Sequence, residues 1–100
     1  MIIYNITVKV DTLAAERWIA WTKSDHMKEV MDTGLFTDCR LCRLLEQDET
    51  DGITFVKQYL CAGIEEYDTY INKHSIAMRE KESNLFAGKL VAFRSLMEII

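Results

Sequence analysis

No proline occurs anywhere in the chain, and only four glycines do. Proline-rich spacers, collagen-like repeats and glycine-rich low-complexity segments are thereby excluded. No apolar run approaches the roughly 20 residues that a membrane-spanning helix requires. No block of basic residues exists either: 12 Lys and Arg stand against 16 Asp and Glu, for a net charge of −4. Phosphate backbones are held by clustered cations, so nucleic-acid binding is excluded as well. The opening MIIYNITVKV has no basic residue before its apolar stretch, and Asn5 and Thr7 interrupt that stretch. It therefore reads as neither a signal nor a membrane segment, and a cytoplasmic location is the expectation. A Gly-rich phosphate loop is absent, as is any nucleophile with an adjacent base.

Cysteine and histidine are also scarce. Cys39, Cys42 and Cys61 are odd in number, which fits reduced thiols. Cys39-Arg-Leu-Cys42 has the spacing of a redox or zinc motif, but it lies in a strand-like stretch. Residues three apart on a strand point to opposite faces, so these thiols can neither pair nor share a metal. His26 and His74 are the only histidines, and neither has a partner in a His-x-x-x-His pattern. No metal and no cofactor are expected.

What is present is 49% hydrophobic residues in 100, enough for a single domain spanning 1–100 with its own core. Ile2 to Val10 alternates strictly, with Ile2, Tyr4, Ile6, Val8 and Val10 on one face of a half-buried strand. Leu13 to Asp32 has helical composition, but its apolar residues do not keep to a single stripe. At about 100° per residue, Ala14, Trp18 and Trp21 share one face while Met27, Val30 and Met31 fall nearly opposite. A kink or break at residues 22–25 is predicted, with Ser24-Asp25 as a fresh cap and Gly34 as the stop. Phe36 to Glu46 and Ile53 to Cys61 read as a hairpin closed through Asp51-Gly52. Ile64 to Ser83 reads as one helix with a clean stripe of Ile64, Tyr67, Tyr70, Ile71, His74 and Met78. Leu90 to Ile100 alternates as a final strand.

That order, βαββαβ, packs as two helices on one face of a four-stranded antiparallel sheet, a ferredoxin-like α+β architecture. The last strand is assigned with Val91, Phe93, Ser95, Met97 and Ile99 toward the helices. Leu90, Ala92, Arg94, Leu96 and Glu98 then share the open face with Ile3 and Asn5. An apolar open face of that kind predicts a homodimer closed about a two-fold axis. Asn5, Arg94, Leu96 and Glu98 become the candidate dimer-face residues. Arg94 and Glu98 are about 13 Å apart at about 3.3 Å per residue, so Arg94 must find its partner elsewhere.

The strings MIIYNITV, HMKEVMDTGLF, Tyr67-x-x-Tyr70-x-x-x-His74 and FRSLMEII resemble a bacterial domain family of unknown function. That family belongs with the dimeric α+β barrels, which include antibiotic-biosynthesis monooxygenases, muconolactone isomerases and haem-degrading enzymes. The resemblance implies the dimeric barrel fold. It also implies a comparison with the haem-degrading members, whose Asn and helical His would fall on Asn5 and His74. The alternation puts those two side chains on opposite faces of the sheet, so one bound ring could not meet both, and Phe55 and Tyr59 stand where a Trp would be wanted.

His74, within the apolar stripe, is a candidate general base or ligand, or else a core histidine bonded to Tyr or backbone. His26, in the first turn of a new helical segment, would stay neutral at pH 7 because the helix dipole disfavours its charged form; exposure to water is its commoner fate. Trp18, Tyr67, Tyr70 and His74 are the candidate lining of a pocket between helices and sheet, with Tyr70 a further candidate for chemistry. Three functions are weighed: a binder or converter of a small aromatic molecule, a non-catalytic dimeric module, and a haem or metal protein using His74, the last opposed by the face assignment of Asn5 and His74.

Overall fold

The computed structural model describes residues 1–100. Four strands, β1 (Ile2–Val10), β2 (Asp38–Arg43), β3 (Ile53–Cys61) and β4 (Leu90–Glu98), form one sheet in the order β2-β3-β1-β4. Every neighbouring pair is antiparallel. The helical segments α1 (Ala15–Trp21), α2 (Met27–Asp32), α3 (Ile64–Lys73) and α4 (Ser75–Leu85) fill the two crossovers. Tyr4, Ile6, Val8 and Val10 turn one face of β1 into the core, where Phe55 and Tyr59 of β3 join them. The expected α+β architecture is the one observed.

The first helical layer solves its split hydrophobic pattern without breaking. A single π turn, Thr22–His26, joins α1 to α2, and the Met27 amide donates to the Thr22 carbonyl five residues back. One extra residue in a turn delays the helical phase by about 100°. Trp18 before it and Val30 after it thus both reach the core, at 0% and 1% exposure. Ser24 is not a cap, because no free helix start exists; its hydroxyl donates back to the Ala20 carbonyl at 2.8 Å. Gly34, with φ of 77°, ends the layer in the left-handed conformation that a side chain resists.

The second layer, expected as one helix, is two. His74 has φ −125° and ψ −31° and separates α3 from α4. Next to it the Ser75 hydroxyl donates to the Ile71 carbonyl at 2.7 Å, a back-bond of the kind that bends helices. The stripe is accordingly divided, with Tyr67, Tyr70 and Ile71 packing on the core from α3 and Met78 from α4, while Ile64 at its start lies about half exposed. Of α4 only Ser75 and Glu82 are buried. Strand β2 is also shorter than expected, and residues 44–52 form a loop pinned by an Arg43–Glu49 ion pair and by Lys9–Asp51 at 3.1 Å.

The largest correction concerns β4. Ile6 stands opposite Arg94, Tyr4 opposite Leu96, Val8 opposite Ala92 and Ile2 opposite Glu98. Residues directly opposite share a face, so Arg94, Leu96 and Glu98 lie on the helix side of the sheet and not on the open face. Val91, Phe93, Ser95 and Met97 occupy the open face instead, and Phe93 is two-thirds exposed. Asn5 alone of the four candidate dimer-face residues stands where it was expected.

Candidate functional site

Strand β3 alternates Ile53, Phe55, Lys57, Tyr59 and Cys61 toward the core, which sets a lysine in the middle of an apolar face. Lys57 is 1% exposed and pairs with Glu82 of α4, 4% exposed, at 3.3 Å. The same carboxylate oxygen accepts the Trp18 indole N–H at 3.0 Å. Lys57 Nζ also lies 5.6 Å from the centre of the Trp18 ring, which is stacked on Phe55. Glu82 thus ties α4 to both the sheet and α1.

His26 enters from the π turn, where the widened turn aims it inward against Trp21 at 4.7 Å between ring centres. It is buried, contrary to the exposure expected of a cap-region residue. Burial first, and then the nearby Lys57 charge, lower its pKa to about 4. The imidazole is therefore neutral at pH 7, for reasons of desolvation and a neighbouring cation. Its Nδ1 has no hydrogen-bond partner, and neither do Thr22 Oγ1 and Tyr59 Oη. Burial would raise the Glu82 carboxyl, but Lys57, the Trp18 N–H and His26 together outweigh it and hold the group below its usual value. Burial draws Lys57 down against the opposing pull of Glu82.

A second polar pair completes the region. Arg94 of β4 donates from Nε to Tyr4 Oη at 3.1 Å. Tyr4, Tyr70, Ser75, Arg94, His26 and the Lys57–Glu82 pair surround a void of about 10 Å³, the space of about one water. Outside it, between α4 and β4, runs a groove of about 280 Å³ edged by Arg79, Arg94 and Glu82, with Leu90 and Ala92 as its floor. The arrangement brings a carboxylate, an ammonium, a neutral imidazole and a guanidinium from four elements to one place. Such a set can hold an anion and exchange a proton with it.

The residues singled out from sequence are distributed differently. Tyr70 lines the void and is buried, with its phenol pushed up by burial. Tyr67, half-buried, packs edge-on against Tyr4 with 5.3 Å between ring centres. His74 is half-buried at the helix break, its ring 6.1 Å from that of Tyr70, and it does not reach the cluster around Lys57. Trp18 is wholly enclosed. Sequence reasoning missed Lys57, Glu82 and Arg79, although the Phe55–Lys57–Tyr59 alternation marked the first. No group of three or more His, Cys, Asp and Glu side chains is placed to hold a metal ion. Cys39 and Cys42 face opposite sides of β2 as free thiols.

On the open face a ladder of side chains crosses all four strands. Arg40 Nε donates to Gln58 Oε1 at 2.7 Å, Gln58 Nε2 to Asn5 Oδ1 at 3.0 Å, and Asn5 Nδ2 to Ser95 Oγ at 3.3 Å. Asn5 is therefore committed to that face and His74 to the other.

A four-stranded antiparallel sheet with helices on one face and this crossover order defines a ferredoxin-like α+β fold. The chain belongs to the family described as a domain of unknown function (DUF4286), whose model matches residues 1–100. Among solved structures, an antibiotic biosynthesis monooxygenase superposes with a TM-score of 0.69 at 12% identity, covering 100% of this chain and 99% of that one. A dimeric ferredoxin-like protein from an uncultured marine organism gives 0.68 at 13% identity, covering 99% and 96%. A monooxygenase of Streptomyces coelicolor in complex with nanaomycin D gives 0.64 at 14% identity, covering 99% and 88%. No curated protein matches the sequence. No helix is long and apolar enough to cross a membrane.

Proposed function

We propose that the protein acts as a homodimer in which each chain binds a small aromatic molecule bearing an acidic hydroxyl group beneath α4. The observation that carries this reading is the burial of Lys57, Glu82 and His26, drawn from three elements, behind a groove edged by Arg79 and Arg94. An apolar core of the same shape would be as stable or more so. Buried, perturbed ionisable groups behind a cleft are the usual mark of a working site. Arg94 suits the oxygen of a phenol or enol, since it already takes the Tyr4 phenol as acceptor. The neutral His26 imidazole, with a free Nδ1, suits the proton. Tyr70 closes the inner wall, while Tyr67 and His74 support it from α3 and the helix break. A fold relative in complex with nanaomycin D favours a small-molecule pocket by analogy.

Dimerisation is supported by the open face, where Ile3, Val91, Phe93 and Met97 flank the Arg40–Ser95 ladder. A self-complementary face of this kind is closed by a two-fold axis. The ligand reading is tested with 4-nitrophenol, whose ionisation is visible by absorbance. A saturable change in the nitrophenolate band is expected, weakened about tenfold or more, at least about 1.4 kcal/mol, in Arg94→Gln. No saturable change at millimolar probe, or an unchanged response in the variant, would refute it.

A further inference from the structure

The groove between α4 and β4 narrows its occupant further through two arginines that face each other across it. Ser75 and Glu82 are the buried residues of α4. Arg79, four residues after the first and three before the second, shares their helix face. Arg94 meets it from β4, on the helix side of the sheet opposite Ile6. Both arginines line the water-sized void and the groove outside it. Their charges also bear on the same phenols. Burial first, and then Tyr4, raise Tyr67 and Tyr70, while Arg79 and Arg94 both pull them back.

These two guanidiniums are unmatched. Glu82 is the only carboxylate lining the groove, and its charge is already taken by Lys57. Arg94 is bonded through Nε to the neutral Tyr4 phenol, and neither arginine makes an ion pair. Two free positive charges thus border one groove in a chain of net charge −4. The space between them is small. Its volume of about 280 Å³ lies just under the range of most ligand sites, roughly 300–1,000 Å³. Ala87, Gly88 and Ala92 give its walls little relief. A flat single ring suits such a groove better than a fused polycycle.

We infer, on the reading of this groove as a phenol site, that its ligand is a one-ring aromatic acid with a carboxylate ortho to the hydroxyl. In this salicylate-type anion the carboxylate pairs with Arg79 and the hydroxyl oxygen with Arg94. The two oxygens must be neighbours, because both arginines border one void the size of a water. A phenol without the carboxylate would leave Arg79 unmatched. Arg79 also changes the ligand itself. An ortho carboxylate holds the hydroxyl proton by its negative charge, and pairing that carboxylate with a guanidinium weakens the hold. The hydroxyl is thereby kept acidic.

Salicylate is followed by its own fluorescence, so its titration does not depend on a nitrophenol response. Saturable binding is expected, with benzoate, phenol and 4-hydroxybenzoate each at least about tenfold weaker as competitors. Arg79 is exposed, so Arg79→Gln should keep the circular dichroism spectrum while abolishing the preference for salicylate over 4-hydroxybenzoate. Benzoate competing as well as salicylate would reveal mere attraction of any anion. Equal competition by 4-hydroxybenzoate would show that the oxygens are not held as neighbours. Either result overturns the inference, as does an unchanged preference in Arg79→Gln, and all three leave the phenol reading standing where 4-nitrophenol still binds through Arg94. A missing 4-nitrophenol response is instead the failure of the phenol reading, and it takes this inference with it.

Discussion

The two faces of one sheet handle polarity in opposite ways. Toward the helices, Lys57, Glu82 and His26 are sealed among Trp18, Phe55 and Tyr59, with each charge met by a specific partner. On the open side, the polar groups run as a hydrogen-bonded ladder from Arg40 to Ser95, and the apolar residues Val91 and Phe93 stand exposed beside it. Water is excluded where charge is stored and admitted where apolar surface is shown. The first arrangement strengthens every electrostatic interaction inside it. The second is what a surface awaiting another surface looks like.

The sharpest way to break the comparison is to remove one partner of the buried pair. Glu82→Leu leaves Lys57 charged and unmatched, and should cost about 3–5 kcal/mol of stability in urea denaturation. Lys57→Met/Glu82→Leu should recover most of that loss, because the double variant removes the desolvation burden along with the attraction. If the single and double variants are equally unstable, the cluster acts through shape and not through charge.

Acid should act next. His26 has an ordinary pKa of 6.5 when unfolded and about 4 when folded, so between those values the unfolded chain binds the extra proton. Stability from this group is full above pH 6.5, falls as the pH is lowered, and is gone below about 4, a loss of about 3 kcal/mol. His26→Gln should flatten that part of the profile, measured as the difference in urea midpoint between pH 7 and pH 4.5. The smallest effect is expected on the open face. Asn5→Ala removes the link between Gln58 and Ser95, and at this partly solvated site should cost about 1 kcal/mol.

Much of this architecture was legible from alternation and helical period. Strands β1 and β3 occupy the residues expected of them, and the discord between Trp18 and Met27 announced a disturbance at residues 22–25. A π turn was not foreseeable, because a phase shift can be achieved by a break or by one added residue, and both satisfy the same pattern. Strand β4 was misread for a different reason. Leu90, Ala92 and Leu96 are as apolar as Val91, Phe93 and Met97, so period alone cannot choose a face. Pairing with β1 chooses it, through Ile6 opposite Arg94. Lys57 was passed over because charge at a core position contradicts the usual burial of side chains, although Trp18 needed an acceptor and Glu82 supplies one. Glu82 stands one turn after Met78 on the same helical face, and its charge kept it out of a stripe read from apolar residues.

Phe93 and Arg94 are adjacent in the chain and point to opposite faces of β4, which makes them the most direct test of the division between a partner surface and a ligand site. Phe93→Asp and Arg94→Gln should be compared for mass by light scattering at micromolar concentration and for 4-nitrophenol binding by absorbance. The account predicts that Phe93→Asp halves the mass and keeps the absorbance response, while Arg94→Gln keeps the mass and loses the response. Should both variants disturb the same property, or should Arg94→Gln be the one that dissociates the protein, the assignment of function to the two faces is wrong.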